Sequence, residues 1–492
     1  MLAGNKTHGR AKSGRLLYRF APADRSLPDL LVPFGAEAGF AKVRENKYAV
    51  ARVADWAGKH PVGTLAHTIG DVSSVAALCE YRLRATGLHS ANKALAARVR
   101  ALLPNAASEL AWASRVVPGG VFGAQDRRGP GFRAITVDPA GSGDFDDALG
   151  VRRLENGNAC VSVYIANVAA WLEALGLWAE AGAAPRVSSV YLPDERRSML
   201  PPALERLCSL RAGEARAALA VDIEVDAATS ALRFSPVSKA IVRVAENYAY
   251  DDPRLSRDPD YAALREVTER LDARTSQGSG ATLCSRDVVA YWMVQTNQHC
   301  AALLAERGAG GVFRVCSDRA RGAAPSPACC WTHAPGGYAT AVPDGSPPYV
   351  HATSPIRRLV DVANQVALFA DSASPAAAAF VDSWTRKLER VSADTLACKK
   401  VQRECALVAL CTERPEVLAR VHEGVLFGRA PCEDGAVVRY SVYLDRLGLL
   451  CSVRVAAALP PMVDGTRASV RIFLFESEHS ICRKVRAQLV EA

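Results

Sequence analysis

The chain lacks the features that would place it in a membrane or in a disulfide-bonded scaffold. No uninterrupted apolar run in its 492 residues approaches the ~20 residues that a membrane-spanning helix needs. Its fourteen cysteines are irregularly spaced, include no Cys-x-x-Cys pair and follow no secretory leader. We therefore expect reduced thiols in an intracellular protein that has no contact with a membrane.

The composition is that of a globular protein with a basic surface. Hydrophobic residues make up 49% of the chain, and 492 residues are enough for roughly two to four domains with a buried core. The formal net charge is +9 and the isoelectric point is near 8.9, which suits a polyanionic partner such as a nucleic acid. Charge alone does not identify that partner, so the identification depends on motifs.

The most informative stretch is residues 135–150, which read ITVDPAGSGDFDDALG. Apolar alternation over residues 134–137 predicts a strand that leads into a glycine-rich turn. The stretch has no basic residue and carries four aspartates, Asp138, Asp144, Asp146 and Asp147. Carboxylates this close repel one another when they share a site, so a counter-charge is needed. Mg²⁺ is the usual solution, with Mn²⁺ as the alternative, because hard divalent cations prefer oxygen ligands.

An acidic stretch of this kind is not always a metal site. A cluster of aspartates ordinarily indicates a solvated acidic turn. An EF-hand loop is excluded because, counted from Asp138, the third position is Ala140 and no glutamate stands at the twelfth. The aspartate nucleophile of a phosphotransferase is disfavoured, since Asp144 follows Gly-Ser-Gly instead of a hydrophobic strand. The choice between a solvated turn and a metal site then depends on the rest of the chain.

A second motif, YVHATSPIRR, occupies residues 349–358. Pro355, which follows Thr353 and Ser354, suits the beginning of a helix, so we expect free N–H groups of this segment to face a phosphate. The planar guanidinium of an arginine can bind two phosphate oxygens and offset charge in a transition state. The two arginines at the end of the motif, Arg357 and Arg358, are the candidates for that role.

Together these motifs resemble the RNase II/RNase R (RNB) family of exoribonucleases. The spacing Asp-x5-Asp-Phe-Asp-Asp-Ala and the TSPIRR sequence carry the resemblance, and SSVYLPD, MLPP and LCSL at residues 188–194, 199–202 and 207–210 extend it. Within the family the chain is similar to the eukaryotic exosome-type and cytoplasmic 3′→5′ branch, in a diverged and shortened form. The resemblance implies a metal-dependent enzyme that hydrolyses single-stranded RNA from its 3′ end to 5′-mononucleotides.

The resemblance also implies the residues of the reaction. The four aspartates would hold one or two metal ions, with Asp144 and Asp146 taking part in catalysis. The metal would activate a water molecule and shield the leaving oxygen. Arg357 would stabilise the charged transition state.

RNA-binding residues follow from the same resemblance. Tyr191 matches the tyrosine that stacks on the 3′-terminal nucleotide, a contact open to every base because each has an aromatic face. A core position at a strand edge is the alternative for Tyr191. Thr353, Ser354 and Arg358 would contact RNA, with a structural carboxylate as the alternative partner of Arg358. Trp56 is a further stacking candidate, with core or rim packing as its alternative.

The coarse secondary structure predicts a multidomain α+β protein. Strand patterns with turn signals dominate both ends of the chain, and helical periodicity is mixed with strands between them. The resemblance implies a cold-shock-like OB barrel, a helical linker, a central mixed α/β RNB nuclease domain and an S1-like OB barrel. The expected boundaries are an N-terminal tail at 1–13, the first barrel at 14–95, the linker at 96–130, the nuclease domain at 131–415 and the second barrel at 416–492.

The chain departs from the family pattern at several positions. Tyr164 and Asn167 stand where family members usually have His and Asp, and Glu404 is out of register with the family's Ala-Glu-Arg-Asp. Residues 319–350 are short and rich in Pro, Gly and Ala where the family has a much longer segment. These departures keep open an RNB-like RNA-binding scaffold or assembly factor with weakened catalysis. A metal phosphatase acting on small phosphoesters is a third candidate.

The resemblance also suggests partners and a compartment. Single-stranded RNA is the expected ligand, with a helicase or an exosome-type complex as candidate protein partners. Nothing in the sequence indicates an oligomer interface. We expect the protein in the cytoplasm or the nucleus, with mitochondrial import as the alternative because residues 1–19 carry five basic residues and no acid.

Overall fold

The structure is a computed structural model of the chain. It describes residues 2–11, 13–24, 26–33, 46–57, 60–116, 124–275, 283–308, 310–316, 329–332, 347–432, 435–475 and 484–490. Most of the shortened segment 319–350 therefore lies outside the described residues. Among the helices that the structure describes, none is long and apolar enough to cross a membrane.

The described N-terminal residues form a closed five-stranded barrel. Its strands are β1 (Leu2–Arg10), β2 (Leu16–Phe20), β3 (Leu30–Pro33), β4 (Lys47–Asp55) and β5 (Val62–Asp71). The side chains of Tyr18, Val32 and Ala49 pack together in its core, because every second residue of a strand faces the same side.

The first strand corrects the expectation of an N-terminal tail over residues 1–13. Strand β1 pairs antiparallel with β2, and its Leu2 also pairs with Lys47 of β4. The sequence of β1 is polar and shows no apolar alternation, so no sequence pattern predicted this strand. Closing the barrel gives its backbone groups hydrogen-bond partners and removes exposed sheet edges.

Three helices follow the barrel: α1 (Val75–Ala85), α2 (Lys93–Leu102) and α3 (Ala106–Val116). Ser74 caps α1 by accepting a hydrogen bond from the backbone N–H of Ala77. The barrel thus ends at Asp71, and α1 occupies residues that were expected to belong to it. The expected helical linker 96–130 also contains a strand, β6 (Gln125–Arg127), which joins the central sheet.

The central sheet has seven strands within the described residues. Besides β6 it contains β7 (Ala134–Asp138), β8 (Asp147–Arg153), β9 (Ala159–Ala166), β12 (Ala215–Val225), β13 (Leu232–Phe234) and β14 (Ser238–Ala249). The order is β13-β12-β9-β8-β7-β14-β6, with β14 parallel to β6 and β7 and the other neighbours antiparallel. A separate two-stranded ribbon consists of β10 (Val190–Tyr191) and β11 (Arg196–Arg197).

Helices cover both faces of this sheet. One face packs on α4 (Val168–Ala174), α5 (Trp178–Gly182), α6 (Pro202–Cys208), α9 (Leu359–Leu368) and α10 (Pro375–Thr385). The other packs on α7 (Pro259–Thr275) and α8 (Ser285–Glu306). Alternation along β9 sends Tyr164 into the first core and Val163 into the second, so the strand is buried on both sides. The mixed α/β arrangement of the centre is as predicted.

The C-terminal part is organised around the long helix α11 (Leu388–Glu413). Before it, β15 (Phe313–Cys316) pairs with β16 (Cys329–Thr332), and after it come α12 (Glu416–Ala419) and a second closed barrel. The barrel strands are β17 (Val421–Pro431), β18 (Val437–Leu444), β19 (Leu449–Ala456), β20 (Arg467–Phe475) and β21 (Lys484–Leu489). Cys405 of α11 packs against Cys79 of α1, and Leu407 packs into the barrel core, so α11 links both ends of the chain.

Candidate active site

The aspartate run lies where two inner strands of the central sheet, β7 and β8, are connected. Strand β7 ends at Asp138 and the antiparallel neighbour β8 begins at Asp147, so the turn between them brings the two carboxylates to the same end of the sheet. The backbone of this turn is held from elsewhere in the fold. The N–H of Phe145 donates to Ser209 Oγ at 2.9 Å, and the N–H of Ala166 donates to the carbonyl of Asp146 at 2.8 Å.

Asp146 is the aspartate that meets the second motif. Its carboxylate is only 2% exposed and accepts hydrogen bonds from the N–H of Ile356 at 2.8 Å and from Arg357 Nε at 3.0 Å. Burial raises the pKa of Asp146 to about 7, although the Arg357 guanidinium counteracts part of this rise. Arg357 also donates from Nη2 to Ser354 Oγ at 3.0 Å, so its guanidinium has a defined orientation.

The segment around TSPIRR is held by buried polar side chains of two helices. Asn297 of α8 accepts from the N–H of Ala352 at 2.8 Å and donates to Thr353 Oγ1 at 3.2 Å. Asp361 of α9 is fully buried and accepts from the N–H of Ser354 at 2.7 Å and from Arg358 Nη2 at 2.8 Å. Of the two expected partners of Arg358, the structure therefore shows the carboxylate.

The expectation that free N–H groups of this segment face a phosphate is wrong for two of them. The N–H of Ser354 donates to Asp361, and that of Ile356 donates to Asp146. The helix that follows, α9, begins only at Leu359. Carboxylates already satisfy these two donors, so the side chain of Arg357 is the better candidate for a phosphate contact here.

Asp138 and Asp147 form the second part of the acidic group. Burial and the repulsion from Asp147 raise the pKa of Asp138, and burial raises the pKa of Asp147. Within the described residues, the buried Oδ2 of Asp138 has no hydrogen-bond partner. A buried carboxylate oxygen without a donor is costly, and a cation would remove that cost.

The donor chemistry of Asp138, Asp146 and Asp147 therefore fits a hard divalent cation. The positions of these carboxylates fit a metal ion less well than their chemistry does. Among the described residues, no group of three or more His, Cys, Asp or Glu side chains is arranged so that it could hold a metal ion as it stands. The carboxylates would have to converge on the ion, and their repulsion would hold them apart without it.

Asp144 lines the same cavity but has partners of its own. Its Oδ1 forms an ion pair with Arg196 Nη1 at 2.5 Å, and its Oδ2 accepts a hydrogen bond from the hydroxyl of Tyr191 at 2.8 Å. All four predicted aspartates thus line the same cavity, and Asp144 differs from the other three in being paired with Arg196 and Tyr191. Tyr191 itself is 41% exposed and lines the site, so it is not a core residue.

These side chains surround a cavity of about 340 Å³. Sequence reasoning missed several residues of its wall, which no motif marks. Examples are Tyr250 and Arg286, which the fold brings to the aspartates from the residue after β14 and from α8. The guanidinium of Arg286 lies over the ring of Tyr250 at 5.4 Å, so this wall offers both positive charge and an aromatic surface.

Trp56 lies away from this cavity. It follows β4 of the N-terminal barrel and is 60% exposed. This exposure disfavours the alternative of core packing. Its role in stacking stays a prediction.

Tyr164, Asn167 and Glu404, which depart from the family pattern, are not among the residues that line the cavity. Tyr164 is buried in the core with the Arg127 guanidinium 5.8 Å from its ring centre. Asn167 caps α4 by accepting from the N–H of Ala170 at 3.0 Å, and Glu404 pairs with Arg82 at 3.3 Å. These three residues therefore have structural partners of their own.

Residues 131–260 match the model of the RNB domain family. Over this quarter of its length, the chain is similar to the RNB domain. The exosome complex exonuclease RRP44 homolog A of Arabidopsis thaliana is similar to it, with 34% identity over 166 residues, which cover 31% of this chain and 17% of that protein. The chain spans less than a third of the length of the curated relatives that it matches.

Solved structures are similar in fold over more of the chain than residues 131–260. The apo form of Mycoplasma genitalium RNase R has a TM-score of 0.72 at 13% identity, covering 100% of this chain and 90% of that one. Its complex with ribose-methylated single-stranded RNA gives 0.69 at 14% identity with the same coverage. Yeast Ssd1, described as a pseudonuclease, gives 0.60 at 15% identity, covering 95% of this chain and 67% of that one. At these identities the likeness establishes the fold alone.

The raised pKa values of Asp138, Asp146 and Asp147 predict a pH-dependent stability of the metal-free protein. Between the ordinary value of 3.8 and the folded value of about 7, Asp146 binds more protons in the folded state than in the unfolded state. The free energy of unfolding therefore falls as the pH rises through this window. Asp138 and Asp147 act in the same direction.

We expect the melting temperature in EDTA to fall between pH 5 and pH 8, and Mg²⁺ to raise it more at pH 8 than at pH 5. Asp138→Asn removes one of the repelling charges, so this variant should show a flatter pH profile and a smaller Mg²⁺ effect. Differential scanning calorimetry measures both. Identical pH profiles for wild type and variant would contradict the prediction.

Proposed function

We propose that this protein is a metal-dependent 3′→5′ exoribonuclease that hydrolyses single-stranded RNA to 5′-mononucleotides. The contact between Asp146 and Arg357, across 211 positions of the chain, is the observation that carries the proposal. It joins the acidic group to a guanidinium in one cavity, with the exposed ring of Tyr191 at the same site. An acidic group, an oriented cation and a stacking surface are the parts that phosphodiester hydrolysis at an RNA end requires.

Each residue of the site has its own part in the proposed reaction. Asp138, Asp146 and Asp147 would hold Mg²⁺ or Mn²⁺, which lowers the pKa of a bound water and offsets charge on the phosphate. Arg357 uses Nε and one Nη for Asp146 and Ser354, which leaves further N–H donors for a phosphate oxygen. Tyr191 offers its ring to the terminal base, a contact worth about 1–3 kcal/mol per base.

We further propose that both closed barrels are OB domains, the N-terminal one cold-shock-like and the C-terminal one S1-like. In this proposal the linker comprises residues 96–130, the RNB nuclease domain residues 131–415 and the S1-like domain residues 416–492. The first domain, expected at 14–95, has to include β1. A closed five-stranded barrel is the architecture that OB domains use to bind single strands.

A basic groove beside the C-terminal barrel supports RNA binding there. The groove encloses about 530 Å³ between α1, α11 and strands β19–β21. Lys400, Arg454 and Arg486 are exposed on it, and the Arg486 guanidinium lies 5.4 Å from the ring centre of Phe475. Positive charge interleaved with aromatic rings suits the phosphates and bases of a single strand.

We expect the double substitution Arg454→Gln and Arg486→Gln to weaken binding of a single-stranded RNA on the order of ten-fold at low salt. Losing two phosphate contacts should also reduce the slope of log affinity against log salt by about 1.4. Fluorescence anisotropy across a salt series measures both. The matched control is Arg429→Gln with Arg446→Gln, which removes the same charge from exposed positions of the same barrel. Equal losses in both double variants would contradict a specific groove.

The activity itself is tested with 5′-labelled single-stranded RNA, purified protein and Mg²⁺ or Mn²⁺. The proposal expects a ladder that shortens from the 3′ end and the release of 5′-mononucleotides. A gel shift without cleavage would instead support a second candidate, an RNA-binding scaffold or assembly factor. The likeness to Ssd1 and the incomplete convergence of the carboxylates favour that candidate. Turnover of a generic phosphomonoester with RNA left intact would support a metal phosphatase.

Single-stranded RNA is the substrate in this proposal, consistent with the single-stranded RNA complex of RNase R. An exosome-type complex is the proposed protein partner, since the Arabidopsis relative is named an exosome complex exonuclease, and a helicase is the alternative. A cytoplasmic or nuclear location is part of the same proposal. Co-purification and localisation of a tagged full chain test these assignments.

A further inference from the structure

The ribbon β10–β11 carries a cross-strand pair of Tyr191 and Arg196. The two residues are directly opposite one another in the antiparallel register. Residues directly opposite in such a pair lie on the same face, with side chains about 5 Å apart. Whatever Arg196 binds is therefore next to the ring that the proposed enzyme uses for the terminal base.

Both members of this pair hold the same carboxylate. Tyr191 donates its hydroxyl to Asp144 Oδ2 at 2.8 Å, while Arg196 Nη1 pairs with Asp144 Oδ1 at 2.5 Å. Each oxygen thus has one partner from the ribbon. Arg196 offsets the charge of Asp144, although that charge still contributes to the raised pKa of Asp146.

Arg196 also forms an ion pair with a second carboxylate, that of Glu205. The second Nη of Arg196 pairs with Glu205 Oε1, and Glu205 is 8% exposed on α6 of the RNB domain. The ribbon is also tied at its other side, where the N–H of Tyr191 donates to Gln402 Oε1 of α11 at 3.1 Å. An arginine between two nearly buried carboxylates has little freedom, so it can orient what it touches.

We propose that Arg196 is a positioning residue for RNA-end recognition, which orients the Tyr191 ring by holding Asp144 as the acceptor of the tyrosine hydroxyl, with Glu205 as its anchor. The proposal rests on the proposed function and adds a residue that no motif of the sequence marked. Without the guanidinium, Asp144 would be an uncompensated charge beside three others, and its carboxylate would turn away from the ring.

The first test does not require cleavage. A single-stranded RNA with 2-aminopurine at its 3′ terminus is titrated with protein in EDTA, and stacking on Tyr191 quenches its fluorescence. We expect Tyr191→Ala and Arg196→Gln to lose most of the quench at saturating protein, and Arg196→Lys to recover part of it. The matched control is Arg197→Gln, the neighbouring arginine of the same strand, which pairs with Asp194 and Glu195 and should quench as wild type does.

The second test uses cleavage products. With Mg²⁺, Arg196→Gln should raise KM about ten-fold with a smaller change in kcat, and its final product should be longer than that of wild type, because the last base is no longer stacked. Glu205→Gln should shift both in the same direction by less, with an unchanged melting temperature as the control for folding.

The outcomes separate this inference from the proposed function. A wild-type quench that is lost in Arg196→Gln, without any cleavage by wild type, would support the positioning role and overturn the nuclease. Cleavage by wild type with a full quench in Arg196→Gln would overturn the positioning role and leave the nuclease. If Arg196→Gln does not fold, the comparison of Arg196→Lys and Glu205→Gln with Arg197→Gln decides in the same way.

Discussion

Asp146→Asn should lower the rate of RNA hydrolysis on the order of 10³-fold or more while leaving RNA binding intact. The substitution keeps the size of the side chain and an oxygen that can accept the N–H of Ile356. It removes the negative charge that pairs with Arg357 and that would bind the metal. The loss is therefore specific to the reaction, and single-turnover kinetics with 5′-labelled RNA measures it.

The same variant should be at least as stable as wild type at pH 8. Because burial holds the pKa of Asp146 near 7, the ionised carboxylate destabilises the fold at that pH, and asparagine mimics the protonated form. A drop in melting temperature would show that the loss of activity is structural. Asp382→Asn, on α10 and away from the cavity, is the control. Retention of more than about a tenth of the wild-type rate would contradict the role of Asp146, since a catalytic group is worth far more.

Arg357→Gln should lower kcat by about 10²–10³-fold, the loss typical of removing one donor that stabilises transition-state charge. The guanidinium meets Asp146 through Nε and Ser354 through Nη2 in one plane. Lysine carries the charge but cannot make both contacts, so Arg357→Lys should recover only a small part of the rate. Full activity in Arg357→Lys would show that charge alone matters at this position.

Arg358→Gln is the matched comparison and should fail in a different way. Its partner Asp361 is fully buried, so removing the guanidinium leaves a buried charge with one hydrogen bond from Ser354. We expect the free energy of unfolding to fall by about 2–3 kcal/mol, with a smaller change in kcat than in Arg357→Gln. Urea unfolding and steady-state kinetics on both variants separate the two roles. Equal effects on stability and rate in both would contradict the assignment.

Much of the fold followed from local patterns. Apolar alternation predicted strand β7, and the strand patterns at both ends of the chain predicted the strands of the two barrels, because alternation records which side of a strand is buried. Alternation did not predict strands that form for a reason other than the burial of one face. Strand β1 closes a barrel, and β6 adds one edge to the central sheet, so each exists through backbone pairing and neither has an apolar alternation to reveal it.

The candidate site divides in the same way. Asp138 and Asp147 were predictable as neighbours, since a strand, a turn and an antiparallel strand bring the ends of a short segment together. Their electrostatic partners were not. Whether an aspartate faces Arg357, Arg196 or a metal depends on residues up to 211 positions away.

The sequence by itself thus determined the chemical groups of this protein: an acidic run, a TSPIRR motif, a tyrosine within SSVYLPD and two barrel-forming ends. The tertiary structure alone decided which charge neutralises which. In the structure, Asp146 pairs with Arg357, Asp361 pairs with Arg358 and Asp144 pairs with Arg196. The physical reason is that alternation and turn composition act over a few residues, whereas burial and ion pairing depend on how distant elements pack.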